Sequence, residues 1–370
     1  MTSLGTWTVA VMSCILVGLL VSADLVSGRP SRALPVYSRR YGVSCQTCHS
    51  IPPRLNRFGL AFQANHFNWP GGPPPAYYAG LAALPVSGLG TLSRTIPVPD
   101  GTAGSDFRAQ ELFVTDGFRL GGQGRGGYFV DYVAATRGIG IHPGGLADAY
   151  AALPIAGHRG QWALTAGQFT PILYQYDPIN SLTVSLPGAL NLPADDQSLD
   201  LPGPGVQLEF FNNRGRARAD GDYLDVGVPF AGLFSFTRDT RLYSAHGLYV
   251  HAFRRSGDNS LGLFGYTRSG NYVSGLIGTQ KLDERLSLLE IGDLGHDGTG
   301  ATRQLSVQAD YVLSPYAALT GRWEAMSGTA AYPVAALTYY PFGQHTLRLT
   351  GETVQQRANR SSALYALVQF

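Results

Sequence analysis

The sequence predicts an all-β fold, a transmembrane antiparallel β-barrel preceded by a very short helical and loop module. Three observations carry this prediction. Segments of about ten residues alternate in polarity from residue 80 onward, and the chain ends on an apolar strand with a terminal aromatic residue. The third is that two of the three cysteines fall in one N-terminal segment, which marks the module. Only 14% of the residues are charged, which is low for a soluble enzyme.

Residues 1–23 are expected to be a signal peptide. An apolar run over residues 7–23 ends in Val21-Ser22-Ala23, a small-residue cleavage pattern. The leader has no Lys or Arg before the apolar run, so an uncleaved anchor is the alternative. Cleavage would remove Cys14 and leave Cys45 and Cys48 as the cysteines of an exported chain.

Residues 24–67 form the predicted module, and their central stretch is "YGVSCQTCHSIPPRLNRFG" (41–59). A redox dithiol would need a βαβ context that is absent, and a structural zinc site would need two further ligands where only His66 lies near. The pattern Cys45-x-x-Cys48-His49 instead fits c-type haem attachment, with two thioether bonds to the porphyrin and His49 as an iron ligand. One covalently bound haem c also explains how about forty residues form a core.

The second axial ligand of this haem is left open by the sequence. His66 is the one further ligand-type side chain within the module, so ligation by both His49 and His66 competes with an open or water-bound site. A ligand from the barrel is the third option: Met326, His142, His158, His246, His251, His296 or His345. The residues expected to surround the haem are Leu55, Phe58, Leu60, Phe62 and Phe67, with Arg39, Arg40, Arg54 and Arg57 either near its propionates or solvated, and the carbonyl of Pro52 or Pro53 on His49.

Residues 68–79, which include "NWPGGPPPAYY", are predicted to be a Pro/Gly linker, and residues 80–370 the barrel. Polar and apolar side chains alternate clearly in three segments, 127–137, 304–314 and 345–356. A soluble sandwich or propeller would alternate as well, but mid-strand charges suit a water-filled lumen and the ending "SSALYALVQF" resembles the last strand of bacterial outer-membrane barrels.

The length of the predicted barrel region sets the strand number. At ~18 residues for each strand and turn, it holds about sixteen strands, with fourteen as the alternative. Residues 170–203 are too long for a turn and are expected to be extracellular or folded into the lumen. The acidic residues of this loop, candidates for attracting Fe²⁺ or simply solvated, are Asp177, Asp195, Asp196 and Asp200.

The segment 34–67 resembles the N-terminal module of the fused monohaem cytochrome–porins, the outer-membrane iron-oxidising c-type cytochromes. The positions that carry this resemblance are Leu34, Pro35, Tyr37, Arg39, Cys45, Cys48, His49, Pro53, Leu55, Phe58, Gly59 and Phe62. It covers roughly a tenth of the chain, and Asn65-His66 departs from the family by replacing a Gly-aromatic pair. The barrel matches the family in type and position only, and it is on the short side.

The resemblance implies an electron conduit in the bacterial outer membrane, with the haem module at or inside the barrel lumen. Extracellular Fe(II) would be the donor, and a periplasmic c-type cytochrome or another carrier the acceptor; any enzymatic activity would be that of an iron(II)-oxidising oxidoreductase, without acid–base catalytic residues. The alternatives are a porin-like channel with a cytochrome plug, or exchange with a different extracellular donor or acceptor. A net charge of +2 with no basic run predicts no nucleic-acid partner.

Overall fold

The computed structural model describes most of the chain from residue 41 to residue 369. The described residues are 37, 41–51, 54–70, 86–98, 104–119, 125–135, 145–156, 161–169, 175, 182, 187, 189, 203–214, 216, 220–229, 247–268, 271–297, 300–328, 330–341, 347–356 and 359–369. Several predictions fall outside them: the leader, most of the linker, Arg39, Arg40, Pro52, Pro53, the four loop aspartates, His142, His158, His246, His345 and Phe370.

Four short elements of the N-terminal module have both ends within the described residues. They are a 3-10 helix (Cys45–Thr47), β1 (His49–Ile51), β2 (Arg54–Leu55) and α1 (Arg57–Ala64). β1 and β2 pair in antiparallel fashion, so the module has a small hairpin besides the predicted helix and loops. Asn56 begins α1 because its side-chain oxygen accepts hydrogen bonds from the N–H groups of Phe58 and Gly59, both at 3.0 Å.

Sixteen antiparallel strands form a closed barrel after the module. They are β3 (Val86–Val98), β4 (Gly104–Arg119), β5 (Arg125–Ala135), β6 (Gly145–Ala156), β7 (Trp162–Phe169), β8 (Gly203–Phe211), β9 (Gly221–Pro229), β10 (Leu248–Ser256), β11 (Asn259–Arg268), β12 (Asn271–Lys281), β13 (Leu286–Asp297), β14 (Gly300–Ser314), β15 (Ala317–Met326), β16 (Tyr332–Tyr339), β17 (Leu347–Gln356) and β18 (Asn359–Gln369). Each strand pairs with its chain neighbours, and β18 closes the barrel on β3. The prediction of sixteen strands is confirmed.

The alternating pattern of the sequence places polar side chains inside the barrel. On β14, Ser306, Gln308 and Asp310 are buried in the lumen, whereas Leu305 is 46% exposed and Tyr311 39% exposed on the outer surface. This is the reverse of a soluble sandwich, whose buried faces are apolar, and it matches a wall that faces lipid. Among the described residues, none of the helices is long and apolar enough to cross a membrane.

Candidate cofactor site in a plugged barrel

The cysteine segment is a compact loop, and the thiol of Cys48 is neutral. In the 3-10 helix the N–H of Cys48 donates to the carbonyl of Cys45 at 3.0 Å, and neither thiol forms a disulfide. Burial, with a smaller contribution from Cys45, raises the pKa of the Cys48 thiol to about 12. A redox dithiol needs a lowered thiol pKa, so the environment of Cys48 disfavours that interpretation.

One asparagine fixes the cysteine loop on α1. The Nδ2 of Asn56 donates to the carbonyls of Gln46 (2.9 Å) and Thr47 (3.1 Å), and its backbone N–H donates to the carbonyl of Cys48 at 2.8 Å. Gly59 lies directly against the same carbonyl of Cys48, and any side chain there would clash with it. Asn56 and α1 therefore contact the Cys-x-x-Cys-His segment at its backbone carbonyls, and these contacts do not use the side chains of the segment.

Aromatic rings form most of the packing within the module. Phe62 meets Tyr37 edge-on at 4.6 Å between ring centroids, and Trp69 contacts Tyr41 at 5.1 Å and Phe58 at 4.9 Å. Of the residues expected around a haem, Phe58, Phe62 and Phe67 join this cluster. The rings of Tyr41 and Trp69 were not predicted to take part.

The module lies inside the barrel, as the wall contacts show. Asn68 donates to the carbonyl of Gly126 on β5 at 2.7 Å, and the hydroxyls of Tyr37 and Thr115 on β4 are 2.6 Å apart. The Phe67 ring stacks on Phe129 at 5.9 Å. A side chain at Gly117 or Gly127 would clash with the backbone of Phe67 or His66, so these two positions of the wall require glycine. The module is therefore a plug seated in the lumen.

His66 binds the wall of the barrel through its ring. The residue is 1% exposed, and its Nε2 contacts the guanidinium of Arg214, in the turn after β8, and lies 3.5 Å from a carboxylate oxygen of Glu209. Burial, and then the charge of Arg214, lowers the pKa of His66 well below its ordinary value, so the ring is neutral. This contact occupies the Nε2 of the side chain that the sequence analysis offered as one possible second ligand of the iron.

Arg214 links three partners across the boundary between plug and wall. It donates to Glu209 at 3.2 Å, to the carbonyl of Ala64 at 3.2 Å, and contacts His66. Thr165 on β7 donates to the other oxygen of Glu209. We call Glu209, Arg214 and His66 the latch, because these buried groups join the plug to β8 and to the turn that follows it. The sequence "FNNRGRARAD" (211–220) contains three arginines, and this basic cluster is a sequence signal that could have pointed to the latch.

The arginines of the module pair with carboxylates of the barrel. Arg57 binds Asp220 at 2.9 Å, and Arg54 lies 3.7 Å from Asp310 on β14. The sequence analysis placed these side chains near haem propionates or in solvent. In the structure they lie at the contact between plug and wall, although the exposed position of Arg57 makes its pair a weak one.

The described barrel residues that the sequence offered as iron ligands have other contacts or lie far from the cysteine segment. His251 is hydrogen-bonded between Asp225 (3.3 Å) and Gln175 (2.7 Å), and His296 stacks on Tyr272 on the outer surface. Met326 lies eight residues along β15 from Ala318, which packs on Ile51 of the module, a separation of about 25 Å at ~3.3 Å per strand residue. This distance excludes Met326 from the iron of a haem attached at Cys45 and Cys48.

The long loop before β8 also enters the lumen. Leu182 packs with Ile51, Ala318 and Tyr340, and its carbonyl accepts a hydrogen bond from Thr338 at 2.8 Å. At the described positions 175, 182 and 189, the second of the two predicted placements, inside the lumen, is confirmed. The plug therefore contacts a loop as well as the wall.

Known structures with the same barrel are bacterial porins. The chain is similar to OmpF of Salmonella typhi (TM-score 0.60, 11% identity, 78% of this chain and 97% of that one) and to the anion-selective porin of Comamonas acidovorans (0.56, 12%, 77% and 98%). The outer-membrane channel DcaP of Acinetobacter baumannii is also similar (0.53, 13%, 77% and 96%). No protein-family model and no curated protein matches the sequence. The likeness establishes a porin-type fold.

Proposed function

We propose that this protein is a plugged porin-type barrel of the bacterial outer membrane that conducts electrons through one haem c held in its lumen. The observation that carries the proposal is the position of the Cys-x-x-Cys-His segment, which belongs to a plug bound inside the barrel by Arg214, Asn68 and Tyr37. A redox centre attached there is enclosed by the wall. The polar lumen, the apolar outer surface and the porin fold support the outer-membrane location.

The residues present fit a haem c. Cys45 and Cys48 lie in one tight turn, where they would attach the haem through two thioether bonds, and His49, which follows directly, would bind its iron. When bound, the haem supplies a one-electron redox centre. Asn56 and Gly59 hold the backbone of the attachment loop, and aromatic rings pack beside it. The occupied Nε2 of His66 favours an open or water-bound sixth position over ligation by His66.

The substrate and partner of this proposal follow from the resemblance of residues 34–67. Extracellular Fe(II) is oxidised to Fe(III) by one electron, and a periplasmic c-type cytochrome or another carrier is reduced by that electron. No proton transfer by a side chain is required. Because the plug lies within the barrel, the insoluble ferric product stays outside the cell.

The second candidate is a channel whose plug controls passage. The likeness to porins favours this function, since the similar structures include an outer-membrane channel and an anion-selective porin. It predicts ion conductance that changes when the plug is released. It does not require that Fe(II) reduce a bound haem.

The test is an optical measurement on outer membranes from cells with c-type maturation. The haem is oxidised, Fe(II) is added, and the absorbance of the reduced α-band is followed. Prompt reduction is expected in the native protein and its loss in the His49→Ala variant, while a His296→Ala control on the outer surface behaves as the native protein. A haem that ascorbate reduces but Fe(II) does not would contradict the iron substrate and leave the plugged barrel intact.

A further inference from the structure

A carboxylate on β13 differs from the other buried acids of the lumen. Asp225 accepts a hydrogen bond from His251, and Asp310 accepts one from Thr320 at 2.7 Å. Asp293 also faces the lumen and is only 4% exposed, but neither of its oxygens has a hydrogen-bond partner among the residues that the structure describes. Burying a carboxylate without a donor costs several kcal/mol, so such a group requires a compensating ion or proton.

The neighbours of Asp293 on β14 add oxygen atoms. Gln304 lies directly opposite on β14, and Thr302 faces the lumen one inward position further along that strand. The hydroxyl of Thr302 is buried and has no hydrogen-bond partner within the described part of the chain. On the other side Asp293 is opposite Gly275 of β12, which contributes no side chain. Carboxylate, hydroxyl and amide oxygens are the ligand types that hard divalent cations prefer.

The cations nearest in the sheet are already paired. Arg322, on the next strand, binds Glu324 at 2.5 Å and Gln308 at 3.3 Å, and it lies nearer the plug than Gln304 does. Arg303 alternates to the outer surface of β14. The long loop borders the site, since the N–H of Ala189 donates to Ser306, the inward residue next to Gln304, at 3.2 Å. The carboxylate therefore lies near the point where Ala189 of this loop contacts the wall.

We propose that Asp293, together with Thr302 and Gln304, binds a partly hydrated divalent cation in the lumen. The site is distinct from the cysteine segment. Asp293 lies six residues along β13 from Ser287, the partner of the plug-binding Asp310, which corresponds to about 20 Å at ~3.3 Å per residue. The cation site is thus on the side of the plug away from the barrel end where β18 finishes.

The ligand set defines the class of ion and the strength of binding. One carboxylate and two neutral oxygens suit Mg²⁺, Mn²⁺ or a similar hard cation that keeps several waters. Groups of three or more His, Cys, Asp or Glu that would hold a metal tightly are absent from the described residues. The site therefore fits a cation that binds and leaves, as ions do in passing through a lumen, and does not fit a structural metal.

The test uses Mn²⁺ as the probe on the full-length, haem-matured protein in detergent, after treatment with a chelator. Loss of the free Mn²⁺ signal in electron paramagnetic resonance measures binding, so the readout does not depend on Fe(II) oxidation or electron transfer. The native protein is expected to bind Mn²⁺ at one lumenal site, and Asp293→Asn to weaken it by about tenfold or more because the ligand charge is removed. The matched control is Asp225→Asn, which changes a lumenal carboxylate already bonded to His251 and should bind as the native protein does.

Thr302→Val is the second variant, and it preserves the charge of the site. A weakening of about three- to tenfold is expected, since one neutral ligand is lost. Gel mobility before and after heating checks that each variant forms the barrel. Equal Mn²⁺ binding by the native protein and Asp293→Asn, or no binding by either, would overturn the proposal and indicate that Asp293 is protonated.

Discussion

The wall and the plug of this molecule are stabilised in different ways. The wall consists of sixteen strands whose backbone groups pair with both neighbours in a closed ring, so its stability is spread over many hydrogen bonds. Among its described residues the plug has a helix of eight residues, α1, and two very short strands. Individual side chains such as Asn56, Arg214 and His66 hold it together or bind it to the wall. We therefore expect single substitutions to affect the plug strongly and the wall little.

The largest expected effect is the loss of covalent haem. In the double variant Cys45→Ser with Cys48→Ser, no thioether bond forms, and haem staining on a denaturing gel should disappear completely. The barrel should still show its shift in gel mobility on heating, because its sixteen strands pair with one another in a closed ring that does not include the plug. Covalent haem that persists in this variant would contradict the assignment of the attachment site.

The next effect is release of the plug through the latch. Arg214→Ala leaves the Glu209 carboxylate and the His66 ring buried without their shared partner, at a cost of roughly 3–5 kcal/mol. The module should become sensitive to protease and the ion conductance in planar bilayers should rise. Arg254→Ala is the matched control, since this side chain is 81% exposed in its pair with Asp222. Unchanged conductance and protection in Arg214→Ala would show that the latch does not hold the plug.

A smaller effect on haem attachment is expected when a glycine of the plug is replaced by alanine, and none when a glycine of the wall is replaced. Gly59→Ala forces a side chain onto the carbonyl of Cys48 and should destabilise the module by about 1–3 kcal/mol, seen as lower haem attachment. Gly321→Ala in β15 meets no atom within 4 Å and should leave haem attachment and barrel stability unchanged. Equal behaviour of the two variants would remove the distinction between plug and wall.

The smallest expected effect is a pH dependence of plug docking. Burial lowers the pKa of His66 in the folded state, so the docked plug takes up the proton less readily than the released one. Docking is therefore fully stable above the ordinary histidine pKa of about 6.5 and loses up to about 1.4 kcal/mol for each pH unit below it. Protease sensitivity of the module should increase on acidification from pH 7 to pH 5, and His66→Gln should remove that dependence. A flat profile in the native protein would contradict the neutral ring.

The sequence predicted the wall better than the plug, for a physical reason. Strand alternation is a local property with a period of two, so segments such as 304–314 show which side chains face the lumen, and Ser306, Gln308 and Asp310 are indeed buried there. The strand number followed from length. The C-x-x-C-H motif is likewise recognised from a few neighbouring residues. The haem that it predicts remains a prediction.

The contacts that position the plug could not be predicted in this way. His66 and Arg214 are 148 residues apart, and only the closed barrel brings them together. The sequence offered His66 as an iron ligand because it was the nearest suitable side chain in the module, whereas the structure places its ring nitrogen on the wall. The sequence did not distinguish Asp293 from other inward-facing acids. Its lack of hydrogen-bond partners among the described residues depends on which residues lie opposite it on β12 and β14.

The central claim is that a haem-bearing plug carries electrons through a closed porin-type barrel. Proteoliposomes that contain the protein and a trapped soluble c-type cytochrome test it most directly, with Fe(II) added outside and the trapped cytochrome followed by its α-band. Reduction by the native protein, absent from the variant with Cys45→Ser and Cys48→Ser, is the predicted result. Equal reduction by both proteins would mean that Fe(II) simply passes through the barrel, and no reduction by the haem-loaded native protein would contradict electron transfer through the plug.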